Sequence, residues 1–284
     1  MLTLTLGVIT GLLLGLTGAG GSVVALPLLM TGLQWPLTQA APVALLAVCA
    51  SATAGTITAW PQKLVRYRAA LLMAFAGLFT APLGLHVATL IPEIVLVPVF
   101  VIIIAVVALR MFLQAQRTPD ETLVVRADLH GTAVAQRDVP CQVNADGRLR
   151  WTPPCMLAIT ASGAVSGFLS GLLGVGGGFV IVPVLRAVTA LPMHGAVATS
   201  LMTIALTSAY TLGVTLFSGH GFPLQIAFMF VVGALIGMLL GRYLAPRLAG
   251  PTLQKGFAIF LLLSGSVLLA KTLFGLAPID ALTR

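Results

Sequence analysis

Two stretches of this chain hold residues whose spacing points to chemistry. Residues 167–185 read GFLSGLLGVGGGFVIVPVL and residues 11–29 read GLLLGLTGAGGSVVALPLL, so each sets a glycine run between two apolar arms. Glycine costs a helix about 1 kcal/mol per residue relative to alanine, so such a run breaks one. A helix that restarts behind the break presents unpaired N–H groups and the positive end of its dipole. Restarts near Ser22 and Gly178 would make two anion cradles. The candidate ligands of a small anion are therefore Gly18, Gly20, Gly21 and Ser22 in one stretch and Gly174, Gly176, Gly177 and Gly178 in the other. The competing reading is close helix packing, which suits Gly11, Gly15, Gly167 and Gly171.

Side chains extend the list. Thr199, Thr203 and Thr207 recur every four residues and share a helix face, with Ser200 and Ser208 beside them. Thr199, Ser200 and Thr203 are candidate ligands, although such hydroxyls also bond to the carbonyls of their own preceding turn. His194 joins them because it follows Pro192 just before that segment, whereas His86 and His220 fall at span ends. No Asp or Glu falls well inside an apolar span, so a carboxylate proton relay is not expected. The chain has no GxSxG, no HExxH and no Lys-Ser/Thr behind its glycines, which argues against an intramembrane enzyme and a nucleotide loop. Cys49, Cys141 and Cys155 show neither CxxC nor paired spacing and read as separate thiols. Neither a metal nor a cofactor is expected.

The elements that must position these residues lie in a membrane. Only 8% of the 284 residues are charged and 58% are hydrophobic, and the mean hydropathy is +1.08. A soluble domain carries about a quarter charged residues. Apolar runs at 38–60, 69–90, 93–113, 195–218, 223–244 and 256–276 are long enough to cross a hydrocarbon core of about 30 Å. The net charge of +8 sits in short loops between these runs, which is a topology signal and not a nucleic-acid surface. The expected partners are the lipid bilayer and a small anionic substrate, and the sequence leaves a homodimer open. The opening MLTLTLGVIT lacks the marks of a cleaved signal and is expected to stay in the fold.

A shift of 156 positions carries Gly11, Gly15, Gly18, Gly20 and Gly21 onto Gly167, Gly171, Gly174, Gly176 and Gly177, and Pro27, Pro36 and Gly77 onto Pro183, Pro192 and Gly233. Such agreement in one register marks a duplication, and its period is that of a transporter half. Lys63, Arg66 and Arg68 follow the second apolar segment of the first half, whereas the matching SGHGFP has no Lys or Arg. The next connection reverses this: HVATLIPE is uncharged by Lys or Arg, and its counterpart carries Arg242, Arg247 and Lys255. Basic loops face the cytoplasm, so the halves are expected to be inverted.

Inversion needs an odd number of crossings per half. With three clear spans in each, the Gly-broken stretch has to cross an even number of times. Its first-half arms, residues 2–16 and 23–33, would be roughly 22 and 17 Å long as helix, short of the core, which fits a re-entrant hairpin. The second-half arms are expected at residues 156–173 and 179–191. A single kinked crossing in a parallel, eight-span protein is the alternative. The fold class is thus an all-α integral membrane protein of the inner membrane with about eight apolar segments: repeat 1 over 1–113, a cytoplasmic linker over 114–154, and repeat 2 over 155–284. The linker is neutral overall, and its alternating segments at 122–126 and 148–151 hint at short β hairpins.

The paired motif resembles the TauE/SafE family, also called the sulfite exporter or TSUP family. Its GxxGxGGG with a following Pro-x-Leu is matched by Gly171, Gly174, Gly176, Gly177, Gly178, Pro183 and Leu185. Gly15, Gly18, Gly20, Gly21, Pro27 and Leu29 match it in the first half, where Ser22 replaces the third consecutive glycine. A family-like A-x-x-T-S-L is present as Ala196, Thr199, Ser200 and Leu201, but its first-half position has Pro42 and no Thr-Ser pair. The resemblance implies secondary transport, often export, of sulfite, sulfonates or related sulfur anions. An anion channel is the alternative from sequence.

Overall fold

The computed structural model describes residues 2–18, 20–61, 64–117, 141, 151–173, 178–189, 193–217 and 223–244, together with 256, 259, 262, 263, 265 and 266. Among them run α1 (Leu2–Thr17), α2 (Gly20–Gly32), α3 (Leu37–Ala59), α4 (Tyr67–Leu90), α5 (Glu93–Arg117), α6 (Pro153–Leu173), α7 (Gly178–Val188), α8 (Met193–Phe217) and α9 (Leu224–Leu244). The chain is an all-α membrane protein: α3, α4, α6, α8 and α9 are each long and apolar enough to cross a bilayer. Lipid-facing and packed sides separate cleanly on α4. Leu71, Phe75, Phe79 and Leu83 are exposed on one side, while Met73, Ala74, Gly77, Ala81 and Gly84 are buried on the other.

The glycine break in the first half produces two helices folded back on each other, not one kinked crossing. Gly21 lies against Thr10 and Leu14 near the turn, and Gly32 lies against Leu6 toward the open end. With 16 and 13 residues, the arms are about 24 and 20 Å long. In the second half the break separates α6 from α7, which pack together. Here the first arm is longer than expected. It starts at Pro153 rather than 156 and reaches 21 residues, about 31 Å, because a proline pair suits the first helical turn, where N–H groups have no partner anyway.

Small residues set the pairing between halves. Gly7 faces Phe230 and Gly233, Gly11 faces Ala234, and Gly15 faces Met238 and Gly241, so α1 and α9 run parallel with backbones nearly touching. Gly163 faces Met73, Gly167 faces Gly77 and Gly171 faces Ala81, so α6 and α4 do the same. Without a hydrophobic driving force between helices in lipid, such close approach supplies the dispersion contacts that hold them. The shift of 156 carries α1 onto α6 and α4 onto α9, so this is one interface made twice. It also carries α3 onto α8, which pack on each other. The Cys49 thiol donates to the Ala205 carbonyl 156 positions away, at 3.7 Å, which places repeat-equivalent residues at their crossing. Gly55, later on α3, meets Leu201, earlier on α8, so these equivalent helices run antiparallel.

Cys141 and Cys155 are joined in a disulfide, which corrects the expectation of separate thiols. Cys141 N–H donates to Val188 O at 3.0 Å, and the residue forms an isolated parallel bridge with Thr189. The linker therefore returns across the end of α7 and the start of α6. That juxtaposition is tertiary, and a spacing of 14 residues without a recurring pattern does not announce it. Cys49 is free. The β hairpins expected at 122–126 and 148–151 lie, Trp151 apart, outside the described residues.

Candidate functional site

The first tip is defined by Gly18. Its φ of +75° is left-handed, and its N–H donates to Leu14 O at 2.8 Å, closing α1 in the manner of a C-terminal glycine cap. Ser200 Oγ donates to Gly18 O at 3.2 Å, and the glycine lies flush against Val197, where a Cβ would overlap the valine side chain. The turn is thus docked on the first turns of α8. Gly20, Gly21 and Ser22 form the first turn of α2, so the helix restarts there as the glycine run predicts. Gly178 is the buried first residue of α7. Gly174, Gly176 and Gly177 lie outside the described residues. His194 is the second residue of α8, close in sequence to the segment that receives the Gly18 tip.

The threonine stripe is real and fully inward. Thr199, Thr203, Thr207, Thr211 and Thr215 are buried, and each donates to the carbonyl four residues back. While its O–H donates to Gly195 O, Thr199 Oγ1 also accepts Arg66 N–H at 3.1 Å, which ties the approach to α4 onto α8. Ser200 divides its hydroxyl between Gly18 O and Val197 O. Of the candidate ligands named from sequence, the structure brings Gly18 and Ser200 into contact, with Thr199 next to Ser200 on α8. Thr203 lies one turn farther along α8.

Among the described residues, three side-chain atoms stand apart from this satisfied network. Ser51 Oγ, Ser208 Oγ and Arg66 Nε are shut off from solvent and have no hydrogen-bond partner. Ser51 and Ser208 are 1% and 0% exposed, so water does not compensate them. Sequence reasoning treated Arg66 and Arg242 as topology markers, because a charge beside an apolar run reads first as a loop residue. In the fold Arg242 Nη1 donates to Gly55 O, and Arg242 N lies beside Gly15, one turn before the tip. The available signal was the lack of repeat symmetry: their equivalents are His86 and, for Arg66, Phe222. An open groove of about 480 Å³ lies between α3 and α8, lined by Cys49, Ile57, Trp60, Met202 and Leu206. Its lining is apolar, which suits lipid and not an anion. No group of His, Cys, Asp and Glu among the described residues is arranged to hold a metal.

Comparison with known proteins bears on the whole chain. A probable membrane transporter protein of Xylella fastidiosa strain Temecula1 is 32% identical over 255 residues, covering 88% of this chain and 86% of that protein. The corresponding protein of strain 9a5c is 32% identical over 252 residues, covering 87% and 85%. The probable membrane transporter protein YunE of Bacillus subtilis strain 168 is 26% identical over 282 residues, covering 96% and 98%. No solved structure matches the chain. The family model for sulfite exporter TauE/SafE matches residues 3–268, which include both glycine hairpins and all of the helices described above except Leu2, and the chain therefore belongs to the TauE/SafE family of membrane transporters.

Proposed function

We propose that this chain is a secondary transporter, working as an exporter, for a small sulfur-containing anion such as sulfite or an organosulfonate. The observation that carries this reading is the pair of glycine-broken helix hairpins related by a 156-residue shift, with the equivalent helices α3 and α8 crossing antiparallel at Cys49 and Ala205. Antiparallel equivalents are what inversion in the membrane requires, and inverted repeats support alternating access by exchange of the two halves' conformations. On this reading the repeats are inverted, the linker is cytoplasmic and the bilayer is the inner membrane. The anion loads between the hairpin tips, where the restarts of α2 and α7 supply N–H groups.

Magnitudes decide how far helix ends can go. A partly buried helix N-terminus stabilises an anion by up to about 2 kcal/mol. The effective cost of stripping a small anion of water inside a protein is several kcal/mol. Two N-termini roughly offset that cost at best, so a binding site with useful affinity also needs hydroxyl donors or fixed positive charge. None of the seven Asp and Glu residues lies in α1–α4 or α6–α9, so no carboxylate opposes the substrate there.

The test is flux of sulfite, sulfate, taurine and chloride in proteoliposomes holding the purified chain. Saturable sulfite or sulfonate movement, accelerated by counter-substrate, is expected. Flux that rises without saturation would assign a channel instead, and no flux of any sulfur anion would remove the proposal.

A further inference from the structure

We infer that the two bodies which move against each other in transport are not the two sequence repeats. The repeats exchange one helix each, so that α1, α2, α3 and α9 form one body and α6, α7, α8 and α4 form the other. This rests on the alternating-access reading and names the parts that move in it.

The exchange follows from where backbones come closest. Gly7, Gly11 and Gly15 bring α1 onto α9, and Gly163, Gly167 and Gly171 bring α6 onto α4, so each seam joins one repeat to the other. Dispersion contacts hold such seams, and a small gap forfeits much of their attraction, so each pair moves as a unit. Polar bonds follow the same division. Arg66 N–H donates to Thr199 Oγ1 at 3.1 Å and Thr80 Oγ1 to Ala164 O at 2.7 Å, both inside the second body. Arg242 donates to Gly55 O inside the first. All three bonds link opposite repeats. The hairpin arms complete the bodies, with α2 on α1 and α3, and α7 on α6 and α8.

The bodies meet where α3 crosses α8, where α2 meets α7, and where the Gly18 turn rests on Val197 and Ser200. Cys49 and Ala205 are repeat-equivalent, so the two-fold relation between the bodies passes through their crossing. A rotation about that point opens one end of the bundle as it closes the other, which is the motion alternating access requires. Ser208 follows Leu201 by seven residues and Ala205 by three, on the stripe of α8 that faces α3. It is buried with its hydroxyl unpaired. This packing of α3 on α8 therefore leaves a costly donor on the moving surface, and a second packing can satisfy it.

The two ends are tied unequally. Ser200 Oγ bonds to Gly18 O across the bodies, whereas the equivalent positions hold Ala44 and Gly174, and alanine has no hydroxyl. Ser200 thus latches the Gly18 end.

Cross-linking of the full chain, with its own three cysteines replaced, tests the division. Dibromobimane joins neighbouring thiols through thioethers, which sulfite does not cleave. Linking Thr80→Cys to Ala164→Cys joins the repeats inside one body and should leave sulfite flux in proteoliposomes within about twofold of the unlinked protein. A Cβ at residue 55 lies 3.0 Å from Leu201 Cδ1 and displaces the terminal methyl of Met238. Linking Gly55→Cys to Leu201→Cys joins the bodies away from their crossing and should stop flux. Any other pattern from monodisperse proteins overturns the inference. Distances between iodoacetamide-linked nitroxides, measured by pulsed electron paramagnetic resonance, read the same division without flux. Phe79, Leu157 and Leu240 are exposed positions for the labels. The pair at 79 and 157, in opposite repeats but one body, should keep a single distance with and without sulfite. The pair at 157 and 240, in one repeat but two bodies, should show two populations, and Ser200→Ala should enlarge the longer one. A first distance that changes, or a second that is single and fixed, overturns the inference. If wild type moves no sulfur anion while both distances behave as expected, the transport reading fails and the two bodies stand.

Discussion

Gly18→Ala separates two costs that the tip imposes on any other residue. The backbone there has φ +75°, where an L side chain costs about 1–2 kcal/mol. The added methyl also enters the Val197 side chain, with its Cβ and Cγ2 each at 2.9 Å and Cγ1 nearer still. Overpacking of that kind costs about 1–3 kcal/mol. The substitution should therefore destabilise the protein by about 2–5 kcal/mol, summing the two. Val197→Ala removes the colliding methyls and leaves φ untouched. In the double variant the overlap with the two Cγ atoms should disappear and only the residue-197 Cβ contact at 2.9 Å should remain, giving a coupling energy of about 1–2 kcal/mol, while the strain of about 1–2 kcal/mol persists. Denaturant titration of wild type, both single variants and the double variant in the same detergent measures all the terms. Gly18→Ala with wild-type stability, or strictly additive effects, would refute the account of the tip as a strained turn docked on α8.

Gly11→Ala would push a methyl into the Ala234 carbonyl and should cost about 1–3 kcal/mol, whereas Gly213, with nothing within 4 Å, should accept the same change without loss. Equal effects in the unfolding titration would deny the close α1–α9 contact. Replacing Cys141 and Cys155 together with Ser opens a loop spanning 14 positions and should cost about 3 kcal/mol, seen as a lower denaturation midpoint than oxidised wild type, a difference that reductant should largely remove. In a background without other cysteines, Leu64→Cys and Leu253→Cys should both react with an impermeant thiol reagent from the cytoplasmic side only. Labelling from opposite sides would end the inverted-repeat topology.

Much of the architecture was legible because the membrane leaves few options. Apolar runs gave α3, α4, α8 and α9, and the glycine run at 18–21 gave the break, since adjacent glycines destabilise a helix whatever surrounds them. The Thr199, Thr203 and Thr207 spacing gave one inward face, but sequence could not decide where the hydroxyls donate. Ser51, Thr53 and Thr56 read from sequence as equally weak candidate hydroxyls. Thr53 satisfies itself on Cys49 O, and only the packing of α3 shows that Ser51 is buried without a partner. Arg66 and Arg242 were hidden for a different reason: hydropathy registers a charge at a span end and is blind to which neighbour it reaches. The Cys141–Cys155 bond needed the linker's return path.

Helix directions place the unequal features at one end. α4 and α6 are parallel, so the start of α6, with Cys155, is on the same side as Arg66 at the start of α4. α1 and α9 are parallel, so the Gly18 tip points toward the Arg242 end of α9. If the basic connections face the cytoplasm, the Gly18 tip lies toward the inside. A difference in affinity between the two faces sets the concentration at which each saturates, but by itself it drives no net flux, because the carrier returns to its starting state each cycle. The driving force then comes from the anion's own gradient, from the membrane potential or from exchange against a counter-substrate. A cell that is negative inside expels each unit of negative charge with about 2.3 kcal/mol per 100 mV, which corresponds to a concentration ratio of roughly fifty. A divalent oxyanion doubles that energy. On the proposed exporter reading no proton relay is required, and sequence places no carboxylate between the first residues of α6 and the end of α9.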